Sequence, residues 1–193
     1  MWFNRVVYLI IKDRKSEMRQ NQINEIQDLQ FFGEYGGVNP SIADSSTFTY
    51  FAGKTMGEVF EGVREGCYLY SRHTNPSTSY LGQALAGMEY TKGAILSASG
   101  MGAITPTLLQ LCDSGDEIIS SRTIYGGTYA FMKNYLPKFK IKTTFVNTTN
   151  TKQIEDAITE RTKVIYCETM SNPLLEVSDI ESISVLAKKH GIK

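Results

Sequence analysis

Residues 94–103 read AILSASGMGA, and this stretch contains the first clear change of secondary structure along the sequence. Ala94-Ile95-Leu96 is a short apolar run, which predicts a strand. Met101 to Leu111 follows as a predicted helix that Pro106 interrupts. The small residues between them, Ser97 to Gly100, predict a tight strand-to-helix turn.

The same alternation of strands and helices continues to the end of the chain. Further strands are predicted at 117–120, 143–146 and 163–167, and helices at 128–135, at 151–158 and from Ser178 or Asp179 onward. Pro137 is expected to end the first of these helices. This pattern is typical of an α/β protein with a mostly parallel sheet and helices on both faces, which binds ligands at the C-terminal ends of its strands. Because the chain stops at 191–193, where the next strand should begin, we expect a truncated sheet.

The sequence before residue 77 has a different character. Residues 20–60 are rich in Gly, Asn, Ser, Thr and aromatic residues, which favour turns and extended backbone over helix. A helix is predicted from Ser77. We therefore divide the chain into an extension at 1–27 that need not be native, an arm at 28–76 and the beginning of the α/β domain at 77–193. Met18 is an alternative start.

Composition narrows the classes of function. The 193 residues include 20 basic and 20 acidic side chains, so no basic surface for nucleic acid is indicated. A hydrophobic content of 41% is sufficient for a packed core. The apolar run Val6 to Ile11 is too short to span a bilayer. Cys67, Cys112 and Cys167 show neither zinc spacing nor a disulfide framework, so we expect reduced thiols, no metal site and a cytoplasmic protein.

Four polar segments carry the chemistry that the sequence suggests. In 97–103, small residues let backbone N–H groups approach an anion at a helix N-terminus, as in a phosphate cradle. Taken alone, the segment fits an ordinary strand-to-helix turn equally well. The segment is neither a P-loop nor a dinucleotide fingerprint. Tyr70-Ser71-Arg72 could grip a phosphate, although a solvated loop is the simpler interpretation. Tyr125-Gly126-Gly127-Thr128 could stack on a flat ring or form a plain turn.

The fourth segment runs from Glu168 to Pro173. Its carboxylate and amide could orient a polar ring substituent, or could cap a helix. Three of the four segments directly follow predicted strands, where open α/β sheets bind their ligands. That coincidence favours a ligand site over four unrelated turns.

In order and spacing, these segments resemble the Cys/Met-metabolism family of pyridoxal 5'-phosphate (PLP) enzymes. The resemblance runs from about Gly33 to the last residue. Members include cystathionine γ-synthase, cystathionine lyases, methionine γ-lyase and O-acetylhomoserine sulfhydrylase. It implies a fold-type I PLP-dependent transferase-like fold, of which this chain is the N-terminal part. It also implies PLP as cofactor, small sulfur amino acids or homoserine esters as substrates, and a homo-oligomer built as a dimer of dimers, with no nucleic-acid or membrane partner.

The resemblance assigns a role to each candidate residue in and near the sheet. Gly100 and Met101 match residues whose backbone N–H groups hold the cofactor phosphate. Tyr125 matches the aromatic residue that stacks on the pyridine ring. Asn172 matches an amide near the phenolic oxygen of the ring, and Glu168 lies in the same segment.

Two further residues are assigned to the arm. Tyr70 and Arg72 match a pair that the family contributes across a dimer interface to the neighbouring phosphate site. Tyr70 is also implied in substrate activation. Gly127 stands where methionine γ-lyases often carry a cysteine, which tilts the resemblance slightly toward sulfhydrylases, cystathionine synthases and cystathionine lyases.

Other features of the family are missing from the sequence. The aspartate under the pyridine nitrogen and the lysine that forms the Schiff base would both follow Lys193, and no lysine present stands in that context. The resemblance therefore implies an enzyme of C–S elimination or γ-replacement, of which this chain alone is inactive. One alternative is a non-catalytic accessory subunit that pairs with a full-length paralogue. Another, an unrelated α/β nucleotide-binding protein, lacks the expected fingerprint.

Overall fold

The computed structural model describes residues 37–50, 52–64, 66–172 and 174–193. These residues fall into two compact units, 37–96 and 97–193. The extension predicted at 1–27 and the start of the arm lie outside the described residues. Among the described helices, none has the length and apolar content needed to cross a bilayer.

The unit at 37–96 contains two helices, α1 at Gly53–Phe60 and α2 at Pro76–Met88. Helix α1 was not predicted: it buries no residue, and an i,i+4 ion pair between Lys54 and Glu58 at 3.6 Å supports it locally. Helix α2 is capped by Asn75 and carries Gly82 on a buried side. A Cβ at Gly82 would lie 2.9 Å from the carbonyl oxygen of Ala94, so only glycine permits this close packing.

The strand predicted at Ala94-Ile95-Leu96 is wrong. This segment has no regular secondary structure, and the side chain of Ile95 is 79% exposed. A strand requires a neighbour for its backbone hydrogen bonds, and no described strand pairs with these residues. Three apolar residues in a row were therefore an insufficient signal.

The unit at 97–193 is a three-stranded parallel sheet with helices on both faces, as predicted. The strands are β1 at Glu117–Ser121, β2 at Lys142–Val146 and β3 at Thr162–Tyr166, in the order β2-β1-β3. The helices are α3 at Gly100–Leu111, α4 at Gly126–Ala130, α5 at Thr151–Ala157 and α6 at Ile180–His190. The backbone of Lys193 also pairs with the free edge of β3, through hydrogen bonds to Lys163 and Ile165.

Two helix predictions need correction. Pro106 does not interrupt α3, which runs unbroken from residue 100 to 111. The helix predicted at 128–135 begins at Gly126 and continues beyond α4 as a π-helical turn, Phe131–Tyr135, and a 3₁₀ turn, Leu136–Phe139. Pro137 does not end the helical region, because it lies in the first turn of the 3₁₀ segment, where a missing N–H costs nothing.

Two adjacent residues of the central strand β1 belong to two hydrophobic clusters on opposite faces of the sheet. Ile118 is fully buried against α3, α4 and the turns after α4. Ile119 is equally buried on the other face, against Ile154 of α5 and Ile183 of α6. The successive side chains of a strand point to opposite faces, so one apolar pair in β1 supports both helix layers.

The connections reverse direction at β1. From β1 the chain passes to β2 through α4 on one face, and from β2 it passes back to β3 through α5 on the other face. Connections of one hand that run in opposite directions must lie on opposite faces. The crevice between the C-terminal ends of β1 and β3 is therefore a topological switch point, where α/β sheets bind their ligands.

The three cysteines are free, and two have pKa values raised by burial. Burial, reinforced by Asp116 and Asp113, raises the pKa of Cys112 to about 11. The folded protein therefore keeps a proton that the unfolded chain loses above about pH 9. We expect the free energy of unfolding to fall between about pH 9 and pH 11, and to fall less in Cys112→Ala. Urea unfolding at pH 8 and at pH 10.5 measures how far the free energy of unfolding falls in each protein. An equal fall in the wild type and in Cys112→Ala would contradict the prediction.

Candidate active site

The N-terminus of α3 forms a cradle of free backbone donors. The hydroxyl oxygen of Ser99 accepts a hydrogen bond from the N–H of Gly102 at 3.0 Å and caps the helix. The N–H groups of Gly100 and Met101 find no acceptor among the described residues. A Cβ at Gly102 would lie 3.0 Å from Ser99 Oγ and 3.3 Å from Ser97 Oγ, so this glycine keeps the cradle open. Unpaired donors at a positive helix end fit the phosphate of PLP.

The cradle is joined to the loop after β1 through a side-chain contact. Thr128 is fully buried in α4, and its hydroxyl lies 3.7 Å from the Sδ atom of Met101. Burial raises the pKa of the neighbouring Tyr166 phenol to about 12, while a hydrogen bond with Thr128 lowers it and the charge of Glu168 raises it. Tyr166 is therefore a neutral packing residue and does not act as a base near neutral pH.

Tyr125 lies where the resemblance predicts a ring-stacking residue, at the N-terminus of α4. Tyr125 is 52% exposed, so about half of its surface is accessible to a ligand. The ring lies back over Gly127, where a Cβ would be 2.5 Å from Tyr125 Cε1. Any larger residue at 127 would therefore displace the ring from this position.

Glu168 connects the two loops that border the switch point. Its Oε1 atom accepts a hydrogen bond from the backbone N–H of Tyr125 at 2.9 Å, and its carbonyl oxygen accepts one from the Ser178 hydroxyl at 2.8 Å. Ser178 is also within 3.2 Å of Thr148, which follows β2. The carboxylate of Glu168 holds the backbone of Tyr125, and its role in cofactor binding stays a prediction.

A second carboxylate, missed in the sequence, strengthens the same junction. Glu176 Oε2 accepts a hydrogen bond from the Thr123 hydroxyl at 3.0 Å, and Oε1 lies 3.6 Å from the Arg122 guanidinium. No sequence motif marks Glu176, because its partners lie more than 50 residues earlier. Its place eight residues after Glu168, in the loop that follows β3, is the one signal that could have drawn attention to it.

Within the described part of the chain, Asn172 does not take part in the hydrogen bonds that join Glu168 and Glu176 to the loop after β1. Its side chain is exposed in a turn and makes no hydrogen bond with the described residues. The role near the phenolic oxygen therefore stays a prediction.

Tyr70 and Arg72 belong to the other compact unit and are described within it. Tyr70 forms an antiparallel bridge with Thr47, and the Arg72 guanidinium lies 5.1 Å from the centre of the Tyr70 ring. Asn75 fixes this loop: its Nδ2 donates to Ala43 O at 2.8 Å and to Ser71 Oγ at 2.9 Å, while its Oδ1 caps α2. Tyr70 and Arg72 are both exposed, so they are free to contact a neighbouring molecule.

The comparison with known families now decides the class of protein. A family model for Cys/Met metabolism PLP-dependent enzymes matches residues 22–193. The chain belongs to this family. It is 42% identical over 166 residues to methionine gamma-lyase of Arabidopsis thaliana, which covers 83% of this chain and 38% of that protein. It is 36% identical over 148 residues to homocysteine/cysteine synthase of Saccharomyces cerevisiae, which covers 77% of this chain and 33% of that protein.

A solved structure of the family has the same fold. The crystal structure of a Campylobacter jejuni protein described as an O-acetylhomoserine (thiol)-lyase superposes with a TM-score of 0.81 and 31% identity, covering 89% of this chain and 42% of that one. That structure contains N'-pyridoxyl-lysine-5'-monophosphate. The chain thus spans about two fifths of the proteins it matches. Because these relatives include lyases and synthases, the choice suggested by Gly127 stays a prediction.

Proposed function

We propose that this chain provides the phosphate cradle and the ring-binding loop of a PLP-dependent enzyme of sulfur amino-acid metabolism. The proposed reaction is C–S bond elimination or γ-replacement on methionine, cystathionine or a homoserine ester. The observation that carries the proposal is that the N–H groups of Gly100 and Met101 have no acceptor within the described part of the chain, while the Met101 side chain contacts Thr128 of α4, next to the Tyr125 loop. Membership of the family supports the same cofactor.

Different residues of this chain would bind the phosphate and the pyridine ring of the cofactor. The N–H groups of Gly100 and Met101, with the dipole of α3, would hold the phosphate. The exposed ring of Tyr125 would cover one face of the pyridine ring, and the Glu168 carboxylate would keep the Tyr125 backbone in place. When bound, PLP supplies an electron sink for chemistry at the α-carbon of an amino acid.

The arm residues suggest an assembly with more than one subunit. We propose that the exposed Tyr70 and Arg72 complete the phosphate site of a neighbouring copy, with Tyr70 also acting in substrate activation. We further propose a cytoplasmic homo-oligomer, arranged as a dimer of dimers in the complete protein. The free cysteines are compatible with a reducing compartment.

Binding of PLP by this chain tests the proposal directly. We expect PLP to bind at least about tenfold more tightly than pyridoxal, because pyridoxal lacks the phosphate that the cradle binds through charge-assisted hydrogen bonds. Inorganic phosphate should compete with PLP. Isothermal titration calorimetry measures all three ligands, and equal affinities for PLP and pyridoxal would contradict the proposal.

A second assay separates an enzyme from an accessory subunit. The chain is expressed with and without a full-length member of the family, and release of sulfide, methanethiol or an α-keto acid is measured. Stable co-purification with no change of activity on mutating Tyr125 would favour the accessory subunit. Absence of co-purification, together with PLP binding that depends on Tyr125, would favour the proposed enzyme.

A further inference from the structure

The loops after β1 and β3 are held together by two carboxylates that come from one hairpin. Glu168 accepts from the N–H of Tyr125 at 2.9 Å, and Glu176 accepts from the hydroxyl of Thr123 at 3.0 Å. The two contacts lie two residues apart on the β1 loop. They therefore hold the loop at the Thr123 side chain and at the Tyr125 backbone, and leave the Tyr125 ring exposed.

The backbone of Glu176 is itself fixed, which allows its side chain to position another residue. Its N–H donates to the Ser171 hydroxyl at 3.0 Å, and its carbonyl oxygen accepts from the Ser171 N–H at 2.9 Å. Ser171 is 4% exposed, and a bridge between Met170 and Val177 closes the hairpin. Because its backbone is already fixed, Glu176 loses only side-chain entropy when its carboxylate accepts from Thr123.

The two partners of the Glu176 carboxylate, Arg122 and Thr123, contribute unequally to holding the loop after β1. Arg122 is 56% exposed and its guanidinium lies at 3.6 Å, so this ion pair is screened by solvent and contributes little. The hydrogen bond from Thr123 is shorter and part-buried, and Thr123 is also held by Ser121, whose hydroxyl accepts from the Thr123 N–H at 3.3 Å. Thr123 is therefore the residue through which Glu176 acts on the loop.

We propose that Glu176 is a positioning residue for Tyr125, and that it acts through Thr123 to preset the loop for stacking on the cofactor ring. This inference rests on the proposed function, because it concerns binding of the same ligand. Phosphate would be held by the amides of α3, with which Glu176 forms no hydrogen bond in the described part of the chain. Glu176 should therefore affect the affinity for the ring of the ligand and not the affinity for its phosphate.

The test compares two ligands and two kinds of variant. In Glu176→Gln, we expect the affinity for PLP to fall about fivefold while the affinity for inorganic phosphate is unchanged. Thr123→Val should lose at least as much, and the double variant should lose no more than Thr123→Val, because both substitutions act on the same hydrogen bond: glutamine replaces the charged acceptor with a weaker neutral one, and valine removes the donor. Glu160→Gln is the matched control, since Glu160 is exposed and makes no hydrogen bond with the described residues.

Hydrogen exchange gives a readout that does not depend on a ligand. The N–H of Tyr125 should exchange faster in Glu176→Gln than in the wild type, and at the wild-type rate in Glu160→Gln. Unchanged exchange and unchanged PLP affinity in Glu176→Gln would overturn the inference. So would an equal loss of phosphate binding, which indicates general damage to the fold. If the wild-type chain binds neither PLP nor phosphate, the proposed function fails, and the exchange rates still decide whether Glu176 holds Tyr125.

Discussion

Replacing Gly102 by valine is expected to abolish detectable binding of both PLP and inorganic phosphate. A Cβ at this position would lie 3.0 Å from Ser99 Oγ and 3.3 Å from Ser97 Oγ, so the branched side chain must displace both hydroxyl groups. Displacement of Ser99 also breaks the cap that orients the first turn of α3. Loss of even one charge-assisted hydrogen bond to phosphate weakens binding about tenfold or more.

The matched control is Gly93→Val. Gly93 has no atom within 4 Å of an added Cβ, and its backbone does not have a positive φ angle. Calorimetric titration with PLP and with phosphate should therefore give wild-type affinities in this control. Circular dichroism checks that both variants keep their helices. If folded Gly102→Val protein binds phosphate as the wild type does, the cradle at α3 is not the phosphate site.

The outline of the sheet could be predicted because its signals are local. Each of the three strands is a short apolar or β-branched run, and the helices after β2 and β3 have capping side chains, Asn150 before α5 and Asp179 before α6. Gly191, with a φ of 68°, ends α6 as a C-cap glycine does. The segment 94–96 carried a similar apolar signal, but pairing is a property of two strands and cannot be read from one.

The same limit applies to the candidate site. Gly100 and Tyr125 could be chosen from the sequence because small or aromatic residues stand at predicted strand-to-helix turns. Glu168 could be chosen because it follows a predicted strand, but its contact with Tyr125, 43 residues away, could not be predicted. Glu176 was missed because its partner Thr123 lies 53 residues earlier. Contacts at this separation depend on the order of the strands, and the order β2-β1-β3 cannot be predicted from the sequence of any single segment.

Replacing Ile118 by alanine is expected to lower the free energy of unfolding by about 3 kcal/mol. Ile118 is fully buried in the central strand, and its side chain contacts the cluster that includes Ile104 and Leu108 of α3. Removal of three carbon atoms leaves a cavity that neighbouring strands prevent from closing. Urea unfolding followed by circular dichroism measures the loss, and Val185→Ala, at a position 63% exposed, should change stability by less than about 0.5 kcal/mol.

Comparison with Ile119→Ala connects this loss to ligand binding. Ile119 is as deeply buried but lies on the other face, against α5 and α6, so its truncation should destabilise the fold to a similar extent. Only the Ile118 face supports α3 and therefore the phosphate cradle. At a temperature where both variants remain folded, Ile118→Ala should bind phosphate more weakly than Ile119→Ala. Equal affinities would show that the cradle is held by its own capping interactions and not by the packing beneath α3.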